Sequence, residues 1–381
     1  MGPIQYCMLM IVNLGMGLIT PPVGGTLFIG SAISGIGVEK GNFSMKVLIL
    51  GGTGVISRSI VDKAIDRGFE VTAVNRGSRQ LDVAKNVRTI TADRKDASAF
   101  AAALAHEKPD VVIDMIAFNA EDAKQTVELF RDRAAQIIVT SSIAAYARPY
   151  KSLPIREDAE SLLAGSDFAY GQLKADMERY LTAEMNKPGA AITIIRPSLT
   201  FGPGARNFGM LRQNYNVVQR IKDGKPLVMV GEGVIPWCFT YAEDLAYGFV
   251  LACGNERTYN DCFHVVSDEM VVWEDIYRFV GELVGKEPIL YNIPSALLRE
   301  ADPAVATHLN VEKVYCSVFS TGKFRKAAPD FKTAWKFKDG LARVIASWEE
   351  DKLGVDEAKN AQEDYMCGCW EAFRDNLLKK K

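Results

Sequence analysis

Residues 45–57, MKVLILGGTGVIS, decide the fold. An apolar run from Val47 to Leu50 ends in Gly51-Gly52-Thr53-Gly54, and an amphipathic stretch follows from Val55. An unbroken apolar run predicts a strand buried on both faces over 46–50, and the glycines predict a tight turn into a helix. Gly51, Gly54 and Ser57 occupy the three small-residue positions of a GxxGxxG loop. Such a loop lets a pyrophosphate approach the backbone and meet the N–H groups and positive dipole end of the helix. Ser57 replaces the third glycine, a position that mainly serves helix–sheet packing and tolerates a small side chain.

Further along, short β-rich runs alternate with helix-length amphipathic stretches. Strands are predicted over 46–50, 69–74, 87–91, 110–115, 136–140 and 191–196. Helices are predicted near 56–67, 97–106, 120–131 and 170–186. Buried strands alternating with helices imply an α/β fold: a Rossmann-type doubly wound parallel sheet covered on both faces. From about residue 201 the pattern changes to Gly- and Pro-rich turns, a helix near 208–222 and shorter strands. The expected organisation is a leader over 1–44, a dinucleotide-binding domain over 45–200, and a smaller substrate-binding lobe over 201–350. The lobe is partly interleaved with that domain, and a helical tail over 351–381 follows.

Bulk properties exclude several function classes. The formal net charge is -2 and the pI about 6.1, so no basic field points to nucleic acid or an anionic membrane. The seven cysteines are scattered and odd in number, which suits reduced cytosolic thiols rather than a disulfide framework. Cys367 and Cys369 form a lone C-x-C with no second pair and no histidine beside it, so no metal site is expected.

The end of the second strand, VTAVNRGSR, holds Asn75 and Arg76 where an acidic residue would grip a ribose 2′-hydroxyl. An anionic 2′-phosphate would welcome Arg76, with Arg58 or Arg79 in support. The choice leans to NADP, with NAD still open through the neutral Asn75. Asp93, in TADRKD, is placed to accept from the adenine amino group or to cap the next helix.

IIVTSSIAAY places Ser141 and Ser142 at the end of the fifth strand, ahead of FAYGQLKADMERYL. Tyr170 and Lys174 are four apart and share a helical face. Lys174, together with an oxidised nicotinamide, would lower the pKa of Tyr170 and let its phenol act as general acid or base on a carbinol. Ser142 would hydrogen-bond the same oxygen while the cofactor carries the hydride.

GGTG, TSSIAAY, YGQLK, IIRPSLTFGPG and FTYAEDLA together resemble the extended short-chain dehydrogenase/reductase superfamily, in its NAD-dependent epimerase/dehydratase branch, over residues 45–350. The resemblance implies a Ser142, Tyr170 and Lys174 triad. It also implies cofactor contacts from Gly51, Thr53, Gly54, Val55, Ile56, Ile116, Ala117, Pro197 and Ser198. It implies an NAD(P)-dependent epimerase or dehydrogenase acting on a sugar or sugar-derived substrate. Some members of this fold resemble chloroplast stem-loop RNA-binding proteins, so a non-catalytic or RNA-binding member is the alternative.

The family pattern also breaks. Ile143 and Ala144 stand where sugar-nucleotide dehydratases carry an acidic pair. Trp237 and Cys238, in GEGVIPWCFTYAEDLA, take the places of a diphosphate-clamping arginine and its following aspartate. A second phosphate arginine is missing from LNVEKVYCSVFSTGKF. Without bidentate partners a buried diphosphate is poorly matched. Trp237 is either a stacking surface for a sugar ring or a core tryptophan.

Residues 1–38 hold no Asp, Glu, Lys, Arg or His. IVNLGMGLITPPVGGTLFIGSAISGI resembles the C-terminal part of the large membrane subunit of tripartite ATP-independent periplasmic transporters. Two accounts fit: a fusion remnant or early start codon, with the enzyme beginning at Met45, or a membrane tether. The remaining expectations are a cytoplasmic protein, a small carbohydrate-like substrate, no nucleic-acid partner, and a homodimer through paired long helices.

Overall fold

The computed structural model describes residues 44–77, 87–206, 209–211, 213–301 and 309–379. The transporter-like wording and Arg79 lie outside them. Met45–Lys381 forms one compact unit.

Its centre is a seven-stranded, all-parallel sheet. The strands are β1 (Lys46–Leu50), β2 (Glu70–Asn75), β3 (Arg88–Thr91), β4 (Val111–Asp114), β5 (Gln136–Thr140), β6 (Ala191–Arg196) and β10 (Asp261–His264). Their spatial order is β10-β6-β5-β4-β1-β2-β3. The order reverses between β1 and β4, which opens a crevice beyond their carboxyl ends, the place where such sheets bind ligands.

The apolar run of β1 feeds both faces. Val47 and Ile49 pack with helices α1 (Val55–Asp66) and α6 (Ala242–Ala252), whereas Leu48 and Leu50 pack toward α2 (Ala97–Ala103), α3 (Ala120–Phe130) and α4 (Ala169–Glu184). Period-two alternation with apolar residues on both sides is the signature of a strand buried between two helical layers.

The smaller lobe packs β8 (Pro226–Val230) beside β12 (Ile289–Ile293), and β9 (Pro236–Tyr241) between β7 (Leu199–Phe201) and β11 (Met270–Val272). Helices α5 (Asn216–Asp223), α7 (Trp273–Val284), α10 (Phe337–Glu350) and α11 (Glu357–Leu378) close over these strands, around buried Trp237, Trp273 and Trp348. Among the described residues the other α-helices are α8 (Ser295–Ala301) and α9 (Gly322–Ala327), and a short π-helix spans Leu309–Lys313.

Two expectations are corrected. The helix predicted near 208–222 starts at Asn216, because Leu211 N–H donates to Gln213 Oε1 and Asn216 N–H to Asn214 Oδ1 instead of to helical carbonyls. Trp237 belongs to the core: it is fully buried, packs on Trp273 and Phe239, and donates its indole N–H to Tyr315 O at 2.9 Å. It presents no face to a substrate. Among the described residues, no helix is long and apolar enough to cross a membrane.

Candidate active site

The crevice is a groove of about 1080 Å³. Gly51, Thr53, Gly54, Val55, Ile56 and Ser57 form one wall, Asn75, Arg76 and Asp93 one end, and Ile116 lies across from the loop. Gly51 is a glycine for two reasons. Its φ is +90°, and a Cβ there would sit 2.3 Å from Ile116 Cγ2. Both the conformation and the close approach exclude a larger residue. Ser57 does more than pack: its Oγ accepts the Gly54 N–H at 2.8 Å, tying the loop to the first turn of α1. No acidic residue occupies that first turn, so the positive end of the helix stays open to an anion.

Asn75 is buried, and its Oδ1 accepts the Gly77 N–H at 2.9 Å. The amide therefore shapes the turn, while the exposed Arg76 faces the groove without an ion pair among the described residues. Arg58 does not line the groove; its guanidinium lies beside Gly204. Asp93 lines the groove and accepts the Lys95 N–H at 3.0 Å, and the capping of α2 falls instead to Asp96, which accepts the Ala99 N–H. Arg206, from the GPGAR turn, closes the groove from the other lobe. No motif marks it; only its place in a glycine-rich turn after the last sheet strand of that domain hints at it.

A second pocket of about 350 Å³ continues from the groove, with Ile56, Met115, Phe118 and Thr200 lining both. Ser142, Tyr170, Lys174, Pro197 and Ser198 line it together. Three separate segments thus deliver the sequence-predicted residues to one place. Gly171 makes this possible, since a Cβ there would lie 2.5 Å from Ala144 O. The glycine lets the start of α4, with Tyr170, abut the turn that carries Ser142. Ala117 is the exception among the expected contacts: its side chain is buried away from both cavities, and its carbonyl takes a hydrogen bond from Lys174.

Lys174 is buried and donates Nζ–H bonds to Ala117 O (2.6 Å) and Thr140 O (2.8 Å). Burial pushes its pKa down to about 8, against the opposing pull of Asp114 and Glu178. Ser142 Oγ accepts the Ala144 N–H at 3.1 Å, which leaves its own O–H to point elsewhere. Tyr170 remains 44% exposed, so the pocket is open on its side.

Beneath the pocket runs a buried polar chain. Ser141 Oγ donates to Glu178, which also accepts the Arg196 Nε–H at 2.9–3.0 Å. Arg196 Nη1 donates to Tyr146 Oη at 2.6 Å, and Tyr146 Oη pairs with His264 Nε2 at 2.6 Å. His264 Nδ1 lies 3.2 Å from Ser320 O; assigning the proton to Nδ1 satisfies the whole chain, with Tyr146 donating to Nε2. Burial, followed by the Arg196 guanidinium, pushes the His264 pKa down to about 3, so the ring is neutral. Burial also disfavours the Arg196 charge, but the Glu178 carboxylate outweighs it and holds that pKa above its ordinary value.

Comparison with known proteins agrees with this architecture. A family model described as the NAD dependent epimerase/dehydratase family matches residues 47–262, more than half of the chain. The chain belongs to that family. Within it, the chain is 24% identical over 307 residues to a 2′-dehydrokanamycin reductase from Streptomyces kanamyceticus, covering 80% of this chain and 84% of the relative. It is 25% identical over 258 residues to the chloroplast stem-loop binding protein of 41 kDa b from Arabidopsis thaliana, covering 63% of each. An epimerase from Methanothermobacter thermautotrophicus shares the fold with a TM-score of 0.66 at 17% identity, covering 81% of this chain and 93% of that one. A UDP-glucose 4-epimerase from Thermotoga maritima does so at 0.63 and 18%, covering 81% and 99%. The family and its dinucleotide fold are thereby those expected from the glycine loop and YGQLK.

Proposed function

We propose that this family member is an NAD(P)-dependent oxidoreductase that interconverts a carbinol and a ketone on a sugar or sugar-derived substrate. The observation that carries the reading is the meeting of Ser142, Tyr170 and Lys174 in one pocket continuous with the glycine-loop groove. The groove suits a dinucleotide, because Gly51 keeps the loop free of side chain where a pyrophosphate must approach and the open end of α1 favours its charge. When bound there, the nicotinamide supplies the hydride chemistry.

The chain's own residues supply the proton traffic. Tyr170 takes the proton from the substrate hydroxyl on oxidation and returns it on reduction. Lys174, a cation below about pH 8, favours the tyrosinate electrostatically. Ser142 donates its O–H to the substrate oxygen and holds it for the transfer. Gly51, Thr53, Gly54, Val55 and Ile56 cradle the pyrophosphate side, with Arg206 closing over it. Ile116, Pro197 and Ser198 border the nicotinamide end. Asp93 lies at the adenine end.

Arg76, exposed in the groove and without an acidic partner among the described residues, favours NADP over NAD. The reductase named among the relatives favours a reductase or dehydrogenase over an epimerase. The stem-loop binding relative supports a non-catalytic alternative, but the buried Lys174 with its lowered pKa beside Tyr170 favours catalysis.

One experiment separates these readings: denature purified protein, identify any released dinucleotide by mass, and titrate the empty protein with NADPH and NADH. Reversible NADPH binding supports the dehydrogenase or reductase. Stoichiometric retained NAD would instead indicate an epimerase that recycles its own hydride. A protein that binds no dinucleotide would overturn the reading.

A further inference from the structure

The smaller pocket has an unusual distribution of charge. Among its described lining residues only Lys174, Glu312 and Lys313 are charged. Both lysines keep their charge but already donate to backbone carbonyls. Lys174 is held by the carbonyls of Ala117 and Thr140. Lys313 is buried, donates to the carbonyls of Gly209 and Met210 at 2.7 Å each, and lies 5.0 Å over the Trp273 ring. Behind the Ser142 turn, Arg148 donates from its two terminal nitrogens to the carbonyls of Ile143, Ala144 and Tyr146. Glu312 differs: it lines the pocket half-buried, its backbone carbonyl accepts the Tyr315 N–H, and its carboxylate has no hydrogen bond or ion pair among the described residues. The position where a phosphate-clamping arginine was sought holds Trp237, which is in the core.

We infer that Glu312 selects the substrate, and that the substrate carries an ammonium group: an amine-bearing sugar or polyol rather than a sugar diphosphate. This deepens the oxidoreductase reading of the same pocket and rests on it. A partly desolvated carboxylate gains most from a cationic N–H donor, through a short charge-assisted hydrogen bond. A diphosphate entering the same space would meet that carboxylate at close range, while Lys174 and Lys313, still cationic, already donate two N–H bonds each to backbone carbonyls. The volume of about 350 Å³ is at the small end of ligand pockets and suits a single sugar ring.

The test is equilibrium binding to the full chain with NADP⁺ present, at a pH below the amine's own pKa. The probes are D-glucosamine, N-acetyl-D-glucosamine and UDP-glucose. Wild type is expected to prefer the free amine to its acetylated form by about tenfold or more. Glu312→Gln should erase that preference and Glu312→Asp should keep part of it, with NADP⁺ binding in each variant reporting an intact fold. Equal or tighter binding of the acetylated sugar or of UDP-glucose would overturn the inference. So would an amine preference that survives Glu312→Gln, or no binding of any probe. The two readings separate through Tyr170→Phe. If that variant turns over substrate at the wild-type rate while the Glu312-dependent amine preference persists, the oxidoreductase mechanism fails and the cation pocket stands.

Discussion

The groove and the smaller pocket share Ile56, Met115, Phe118 and Thr200, yet they spend their charges in opposite ways. In the groove, Arg76 and Arg206 carry no ion pair among the described residues, and the open end of α1 adds a positive dipole. That end awaits anions. In the pocket, both lysines donate to backbone carbonyls, and the Glu312 carboxylate has no partner among the described residues. The two neighbouring cavities therefore differ in which charged side chains the backbone has already engaged. Counting lysines and glutamates would have missed it.

The difference can be broken from either side. The largest effect is expected at Tyr170, where phenylalanine removes the proton carrier. Tyr170→Phe should lower turnover by about 10²–10⁴-fold while leaving cofactor affinity nearly unchanged, as read by steady-state kinetics and a nucleotide titration. Full activity in that variant would remove the mechanism.

Below the pocket, Glu178→Gln should leave the buried Arg196 guanidinium without its countercharge. A loss of about 3–5 kcal/mol in urea unfolding is expected, because an unpaired buried charge is far costlier than a missing pair. A change under about 0.5 kcal/mol, the range of ordinary surface substitutions, would show that the polar chain does not support the site.

On the groove side, Gly51→Val forces a β-branched residue to φ +90° and sets its Cβ against Ile116. Destabilisation of about 1–3 kcal/mol from backbone strain is expected, together with loss of dinucleotide binding. Adding Ile116→Ala should recover only the steric part, and complete recovery would deny any role to the conformation. A smaller effect, about tenfold, is expected from Arg76→Ala, which should weaken NADPH and spare NADH. Equal weakening of both would mean that Arg76 does not reach a 2′-phosphate.

The mildest prediction concerns pH. The Lys174 charge is present below about pH 8 and lost above it. Carbinol oxidation should therefore show a descending limb near that pH, and Lys174→Arg should move the limb upward. The stability sign is opposite. The folded-state pKa lies below the ordinary 10.5, so the folded chain binds fewer protons between about 8 and 10.5. Across that window this residue's contribution shifts in favour of folding as pH rises, and Lys174→Met should flatten the stability profile there.

The cofactor half was legible because its signals are repetitive. Six short β-rich runs interleaved with four helix-length stretches can form only a few arrangements, and the glycine loop marks where they open. Tyr170 and Lys174 are found by helical spacing once that loop is in place. The seventh strand, Asp261–His264, was not legible: DCFH is short and carries polar ends, since His264 belongs to the buried chain with Tyr146 and Arg196. Trp237 stayed open in the sequence between a stacking surface for a sugar ring and the core, because nothing local tells the two apart; the strand buries it against Trp273. Glu312 sits in a five-residue π-helix, Leu309–Lys313, and Arg206 in a glycine-rich turn, so no periodicity announces them. Their role depends on which neighbours are already bonded, and that is a property of tertiary structure.

The most direct measurement follows nicotinamide absorbance with the full chain and its Tyr170→Phe variant, given NADP⁺ or NAD⁺ and a panel of amine-bearing and neutral sugar alcohols. The account predicts turnover of at least one alcohol by the wild type, and its loss in Tyr170→Phe while dinucleotide binding persists. Undiminished turnover in the variant, or a wild-type chain that binds no dinucleotide, would contradict it.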